Sequence, residues 1–427
     1  MNKILYPPRQ DWAEVLKRPT QTVADIEKTV NQIFEEIRVK GNSAVFKYTE
    51  LFDGSTIDNL KVTQEEVDAA SENIADDLKE AINLAKSNIE KFHAAQKTGR
   101  VEVETMHGVR CWQEKKPIQK VGLYIPGGTA PLFSSILMLA IPANLAECEE
   151  IILCTPPDSN GNINPAILYT AQLCGVTKIF KIGGIQAIGA MTFGTEDVPK
   201  VYKIFGPGNQ FVTVAKQLAT RYQVAIDMPA GPSELLIYAD STAKPAFVAA
   251  DLLSQAEHGA DSQVILVSTS EEVLDNVSRE VEEQISELPR KDIAEKAISN
   301  SKLILVENKE TALDLINEYG PEHFIICAKN ENYFVDGIIN AGSVFIGNNS
   351  PESAGDYASG TNHTLPTNGY AKQYSGVNLD SFMKKITYQK ISEQGIKRIG
   401  PAIELLAEAE GLHAHRNAVT LRLKDID

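Results

Sequence analysis

Between residues 118 and 350 the chain repeats one local pattern ten times, and this pattern restricts it to an α/β architecture. A short apolar run is closed by a turn or polar segment and followed by a helical stretch. The first five runs, "QKVGLYIPGG", "EIILCTPP", "TKIFKIGG", "VYKIFGPGN" and "VAIDMPAGP", end in glycine or proline turns. The second five, "SELLIYAD", "SQVILVST", "KLILVEN", "EHFIICA" and "GSVFIGNN", alternate with helical stretches around 244–258, 271–287, 309–319 and 331–340. Strands at this spacing belong to parallel sheets, whose connections cross over through helices. Two α/β units are expected, divided near Ala230-Gly231-Pro232.

The flanks read differently. Residues 1 to about 115 read as helical. In "IADDLKEAINLAKSNIEKFHAAQ", residues Ile74, Leu78, Ile82, Ala85, Ile89 and Phe92 form one apolar stripe on a long scaffold helix. After about Gly376, "DSFMKKITYQKISEQG" and "GPAIELLAEAEG" also read as helical. The closing "LHAHRNAVTLRLKDID" is too short to bury much alone and is expected to dock on another domain or a second subunit.

Composition narrows the function classes. A net charge of -16 argues against a phosphate-backbone partner, so no nucleic acid is expected. No apolar run approaches the ~20 residues of a membrane span, and the start lacks the apolar core of a secretory signal. A cytoplasmic protein without membrane contact is expected. Five cysteines, Cys111, Cys148, Cys154, Cys174 and Cys327, are odd in number and scattered, which fits core thiols rather than a disulfide framework.

Candidate chemistry gathers late in the chain. In "LLSQAEHGADSQ", Gln255 and His258 stand three apart and would share a helix face, as paired metal ligands do. Asp356 and His363 lie in the glycine- and serine-rich "PESAGDYASGTNH", and "EGLHAHR" supplies His413 and His415. Glutamine, histidine and aspartate would make a mixed oxygen and nitrogen site suited to zinc, although an ordinary turn explains Asp356 equally well. "YGPEHF" places Glu322 and His323 at a strand entrance, where a carboxylate and an imidazole cover proton abstraction and water activation. "IPGGTAP", "IGGIQAIG" and "FGPGNQF" are glycine turns whose backbone N–H groups could hold a pyrophosphate, yet neither G-x-G-x-x-G nor a P-loop is present. H-E-x-x-H is also missing, which weighs against a zinc hydrolase.

Taken together and in order, "LYIPGGTAPLFSSILMLAIPA", "KIFGPGN", "DMPAGPSE", "SQAEHG", "YGPEH", "SPESAGDYASGTNHTLPT" and "AHRNAVTLR" resemble the histidinol dehydrogenase family from about residue 20 to about 422. The resemblance implies an NAD-dependent enzyme of the last two steps of histidine biosynthesis. It would oxidise L-histidinol to L-histidine through a bound aldehyde, consuming two NAD+. It implies one Zn2+ per subunit on Gln255, His258, Asp356 and His415, with catalysis by Glu322 and His323. Ser233, His363 and Glu410 would join the metal ligands and His323 in binding substrate, and Tyr124, Gln186 and Asn209 would bind NAD. Only the fit to "AHRNAVTLR" favours His415 over His413.

The family's fold is similar to an incomplete Rossmann type, repeated. On that basis residues 20–120 with 233–377 would form the larger α/β domain, carrying the metal and catalytic residues. Residues 121–232 would form the NAD-binding domain, and 1–19 and 378–427 small helical extensions. The resemblance further implies a homodimer with shared active sites, its C-terminal segment reaching into the partner. Gly189 in "GGIQAIGA" stands where alanine is the better helix former, at a cost of up to ~1 kcal/mol.

Overall fold

The computed structural model describes residues 1–19, 24–127, 131–229 and 231–426. Ala230, at the expected division, lies outside the described residues, as do residues 128–130 of the first glycine turn. In chain order the strands are β1 (Asn2–Leu5), β2 (Val101–Met106), β3 (Val109–Pro117), β4 (Lys120–Tyr124), β5 (Glu150–Thr155), β6 (Lys178–Lys181) and β7 (Lys203–Phe205). They continue with β8 (Ala225–Ile226), β9 (Glu234–Ala239), β10 (Gln263–Ser268), β11 (Lys302–Leu305), β12 (His323–Cys327), β13 (Ser343–Ile346) and β14 (Met383–Ile391).

Contacts divide the chain into two units. Met1–Ala95 and Gln119–Phe382 form the first, Gln96–Ile118 and Met383 onward the second. The first unit holds two sheets in the orders β6-β5-β4-β7-β8 and β1-β11-β10-β9-β12-β13, and every neighbouring pair in them is parallel. All ten apolar runs are strands of these sheets. Leaving β1 aside, each sheet arranges its strands third, second, first, fourth, fifth. The same incomplete doubly wound sheet, five strands of the six, is therefore built twice, each copy with a switch point beside its first strand.

Burial explains why the runs are apolar throughout. Every residue of β9 and of β10 is buried, with one apolar cluster on each face of the sheet. Around the other sheet, Val30, Ile33, Phe34 and Ile37 line one face of the helix Ala24–Lys40 and join a single core with Ile185, Ile188 and Met191. Gly189 belongs to that contact. A Cβ there would come 2.7 Å from Ile37 Cδ1, so alanine at this position would require the end of the Ile37 side chain to shift.

The flanks are less helical than their composition suggests. Within residues 1–19, Asn2–Leu5 pair in parallel with β11 and extend the sheet by an edge strand. Residues 101–117 and 383–391 form the antiparallel sheet β14-β3-β2 of the second unit. β14 pairs with β3 along its whole length, from Met383 opposite Pro117 to Ile391 opposite Val109, and Tyr388 stacks on Trp112 at 5.3 Å. These strands are exposed, and glutamate and lysine within them break the continuous apolar runs by which the buried strands are marked. The helices Glu393–Ala409 and His413–Ile426 follow. Among the described residues no helix is long and apolar enough to cross a membrane.

Candidate functional site

Gly320, left-handed at φ 62°, ends the helix Lys309–Tyr319 and turns the chain into β12. Glu322 stands just before the strand and His323 is its first residue, so strict alternation does not separate them. Their side chains approach to 3.7 Å, from Glu322 Oε2 to His323 Nδ1, and both residues are buried. The neighbouring strand supplies one residue that touches both. Glu234, first in β9, donates its backbone N–H to Glu322 Oε2 at 2.8 Å, and its carbonyl lies 3.2 Å from His323 Nδ1. A carbonyl only accepts, so Nδ1 carries the proton and Nε2 keeps its lone pair. His323 Nε2 is buried without a hydrogen-bond partner and lies 3.9 Å from Asp356 Oδ1.

Burial sets the protonation of this pair. It pushes His323 down to about 4, so the imidazole is neutral near pH 7 and able to take a proton. It pushes the Glu322 carboxyl well above the usual range, against the Glu234 N–H that favours the ionised form. The pair sits at the amino ends of its strands, whereas open α/β sheets usually bind ligands at the carboxyl ends.

Three of the four expected metal ligands, Gln255, His258 and Asp356, lie in the first unit. Gln255 is buried in the last turn of the helix Pro245–Ala256. That helix ends before His258, which lies in the following turn and is exposed, so the two do not share a helix face. His258 lines a cleft of about 560 Å³ together with Ser233, Glu322 and His363. Asp356 lies on a short helix, Glu352–Tyr357, rather than in an open loop. His363 Nδ1 donates to the Asp356 carbonyl at 2.9 Å, and its Nε2 meets Ser135 Oγ at 3.0 Å.

Sequence reasoning misses Glu352, although its spacing of four from Asp356 on one helical turn signals a shared face. His323, Glu352 and Asp356 each offer a ligand atom, and these lie within 4.8 Å of one another. The Gln255 amide rests on Glu352, donating its N–H to the carboxylate and accepting the Glu234 N–H at 3.2 Å. Burial, with the charge of Asp356, drives Glu352 well above the usual carboxylate range. Among the described residues, Glu322, Glu352 and Asp356 pair only with histidine. Three carboxyls with no lysine or arginine between them fit a divalent cation bound nearby.

The expected nucleotide residues gather at the carboxyl end of the other sheet. Tyr124 ends β4, and its hydroxyl accepts the Gly184 N–H at 3.1 Å. Asn209 caps the helix Gln210–Ala219 through Val212 N–H. Gly206 holds φ 127°, and a Cβ there would fall 2.0 Å from Tyr124 O, so this turn requires glycine. A cleft of about 1060 Å³ opens here, lined by Tyr124, Pro126, Gly184, Asn209, Phe211 and Asp53. Gln186 is buried, donates to Asp53 Oδ2 at 3.0 Å and leaves its own oxygen without a partner.

At the start of the helix Gly184–Phe193 the Tyr124 hydroxyl receives the Gly184 N–H and the Asp53 carboxyl receives that of Gly183. Burial raises Asp53 to about 6, against those hydrogen bonds.

Glu410, His413 and His415 belong to the second unit. Glu410 caps the end of the helix Glu393–Ala409, and both histidines open the exposed first turn of His413–Ile426. All five cysteines are free, and four are buried. Burial lifts Cys148, Cys174 and Cys327 to about 12 and Cys154 higher still, so none of these four is a thiolate near neutral pH.

A doubly wound fold built twice, with a neutral imidazole and clustered carboxyls buried at the amino end of one sheet, defines an α/β enzyme of acid–base chemistry. Comparison with known proteins then specifies which. A family model described as histidinol dehydrogenase matches residues 16–423. A histidinol dehydrogenase of Bacteroides thetaiotaomicron is 60% identical over 426 residues, 100% of both chains. That of Escherichia coli K12 is 52% identical, covering 96% of this chain and 94% of its own. A crystal structure of histidinol dehydrogenase from Elizabethkingia anophelis superposes with a TM-score of 0.98 at 56% identity, covering 100% of this chain and 98% of that one. The chain belongs to the histidinol dehydrogenase family, and it is an oxidoreductase.

Proposed function

We propose that this member of the family catalyses the zinc-dependent, NAD-linked four-electron oxidation of L-histidinol to L-histidine through L-histidinaldehyde that stays bound, the last two steps of histidine biosynthesis. The observation that carries the reading is the buried pair itself. His323 is neutral with its Nε2 lone pair unengaged, and Glu322 lies beside it.

Gln255, His258 and Asp356, with His415 of the partner subunit, would hold one Zn2+ per subunit. Bound zinc supplies a cation that fixes the imidazole and amino nitrogens of the substrate. Tyr124, Gln186 and Asn209 would hold NAD+, whose chemistry is to accept hydride, once in each oxidation. The remaining steps fall to the side chains of this chain. His323 Nε2 takes the hydroxyl proton as the alcohol carbon is oxidised, and the Glu234 carbonyl holds the opposite ring nitrogen in its protonated form. With a bound cation beside it to offset its burial and favour the ionised form, Glu322 would then draw a proton from water, so that the aldehyde is hydrated and can be oxidised again. No thiol is needed, which agrees with cysteines held in the thiol form by burial. Ser233 and His363 line the substrate cleft, and Glu410 would complete it from a second copy of the chain.

The homodimer is part of the proposal. Its support is the second unit, where Leu405, Leu406, Leu421 and Val101 stand exposed. The experiment that tests the function is NADH release by the purified, zinc-supplemented protein with L-histidinol. About two NADH per histidinol consumed is the expected stoichiometry for two successive hydride transfers. A ratio of one would remove the aldehyde step from this chain, and no NADH at all would leave a zinc hydrolase or a catalytically silent relative.

A further inference from the structure

Glu234 is not among the residues assigned to substrate, metal or nucleotide, yet among the described residues it is the one hydrogen-bonded to both members of the reacting pair. Its N–H holds Glu322 and its carbonyl holds His323. What fixes Glu234 is its side chain, which is almost wholly buried and reaches away from the cleft to Arg18. The Arg18 guanidinium grips that carboxylate with two parallel bonds, Nε to Oε1 at 2.5 Å and Nη2 to Oε2 at 2.9 Å. The same Nη2 donates to the Tyr319 carbonyl at 2.9 Å, and the guanidinium lies 3.9 Å over the Tyr319 ring. Asn368 N–H completes the set on Oε1 at 2.7 Å.

Tyr319 and its surroundings are fixed in turn. The Tyr319 hydroxyl donates to Gln263 Oε1 at 3.0 Å, and Gln263 Nε2 donates to the Lys17 carbonyl beside Arg18, also at 3.0 Å. The closed circuit ties the N-terminal segment to the amino ends of β9, β10 and β12. Arg18 is flanked by Lys17 and Pro19 in a polar stretch with no catalytic signature, and it lies 216 residues from Glu234.

We propose that Arg18 is a positioning residue for the acid–base pair, acting through Glu234. The inference rests on the assignment of Glu322 and His323 as the reacting groups. The bidentate fork sets the rotation of the Glu234 side chain and, with it, the peptide groups on either side of the Glu234 Cα. One of these directs Glu322 Oε2. The other keeps the proton of His323 on Nδ1 and so leaves Nε2 as the base. Without the guanidinium, the buried carboxylate keeps the Asn368 N–H but loses its counter-charge, and it must take a proton or turn toward water. Either response loosens the peptide that both reacting groups share.

The test measures both half-reactions, with histidinol and with histidinaldehyde, on zinc-supplemented Arg18→Met and Arg18→Lys enzymes. Circular dichroism and bound zinc are recorded on the same samples. Arg18→Met is expected to lower kcat about ten- to hundredfold in both half-reactions, with KM for histidinol and NAD+ held within about twofold. Arg18→Lys keeps the charge but not the fork, and should recover part of that loss. Should Arg18→Met fail to fold, Arg18→Lys carries the test alone through the same split between kcat and KM. Folded, zinc-loaded Arg18→Lys with unchanged kcat in both half-reactions would overturn the proposal and leave Arg18 as an anchor of the fold. Glu322→Gln and His323→Asn run alongside. If these two retain both half-reactions, the assignment of the pair fails, whatever the Arg18 variants show.

Discussion

His323 is directed by a single backbone carbonyl, and that fact separates the roles of the two reacting residues. In His323→Asn the new amide can still donate to Glu234 O, so the strand entrance keeps its hydrogen bond but loses its base. In Glu322→Gln the amide oxygen can still accept the Glu234 N–H, but the side chain can no longer deprotonate water. His323→Asn should therefore slow oxidation of histidinol by about 10²- to 10⁴-fold. Glu322→Gln should spare that step and slow oxidation of added histidinaldehyde by a similar factor, both followed as NADH in separate assays. Equal loss of the two half-reactions in Glu322→Gln would end this division of labour. The sequence displays Glu322 and His323 as neighbours, and their joint chemistry can be read there. Glu234 and Arg18 cannot be read the same way, because what gives them meaning is a partner far along the chain. Glu322 lies 88 residues from Glu234, and Arg18 lies 216 residues from it.

The same contrast holds for whole elements. The ten strands of the parallel sheets are evident as apolar runs because both faces of each sheet are covered, and burial leaves no room for polar residues. β2, β3 and β14 are hidden because their faces carry charge, and β1 because four residues are too few to show a period. The repeated strand order is also invisible in the sequence, since it arises from crossover connections and not from repeated sequence. At the start of the helix Gly184–Phe193 this limit matters chemically, for Asp53 arrives there from the end of another helix, Asn42–Asp53. Its folded pKa of about 6 lies above the ordinary value of 3.8. The folded chain therefore holds this proton more tightly than the unfolded one, and the resulting stabilisation, complete below pH ~4, is lost as pH rises through about 6. An asparagine side chain at this position cannot ionise, and its amide can donate to the Gln186 oxygen that now lacks a partner. Asp53→Asn should raise Tm relative to the parent by on the order of 1–2 °C at pH 8 and by almost nothing near pH 4, measured without nucleotide. A gain independent of pH would show that ionisation of Asp53 is not what burdens the fold.

On the scale of the whole molecule, the second unit sets the terms. Among its described residues, Val109 and Ala407 are the only buried apolar ones, while Leu405, Leu406 and Leu421 are 70%, 66% and 58% exposed. Three antiparallel strands and two helices with so little enclosed surface gain stability by being covered, and a second copy of the chain is the cover proposed here. In the proposed dimer Glu410 and His415 would reach the partner's cleft, and this makes a prediction that no single-chain site can satisfy. His323→Asn lacks the base and His415→Ala lacks a zinc ligand, so each homodimer should be inactive alone. In a heterodimer of the two, one shared site collects both substitutions and the other collects neither. Random reassociation of equal amounts gives about half heterodimers with one intact site each, so about a quarter of the parental activity should return. Co-expression with two different affinity tags isolates the mixed species, which should carry close to half the parental activity per dimer. A purified heterodimer without activity would place all the ligands of each site on a single chain.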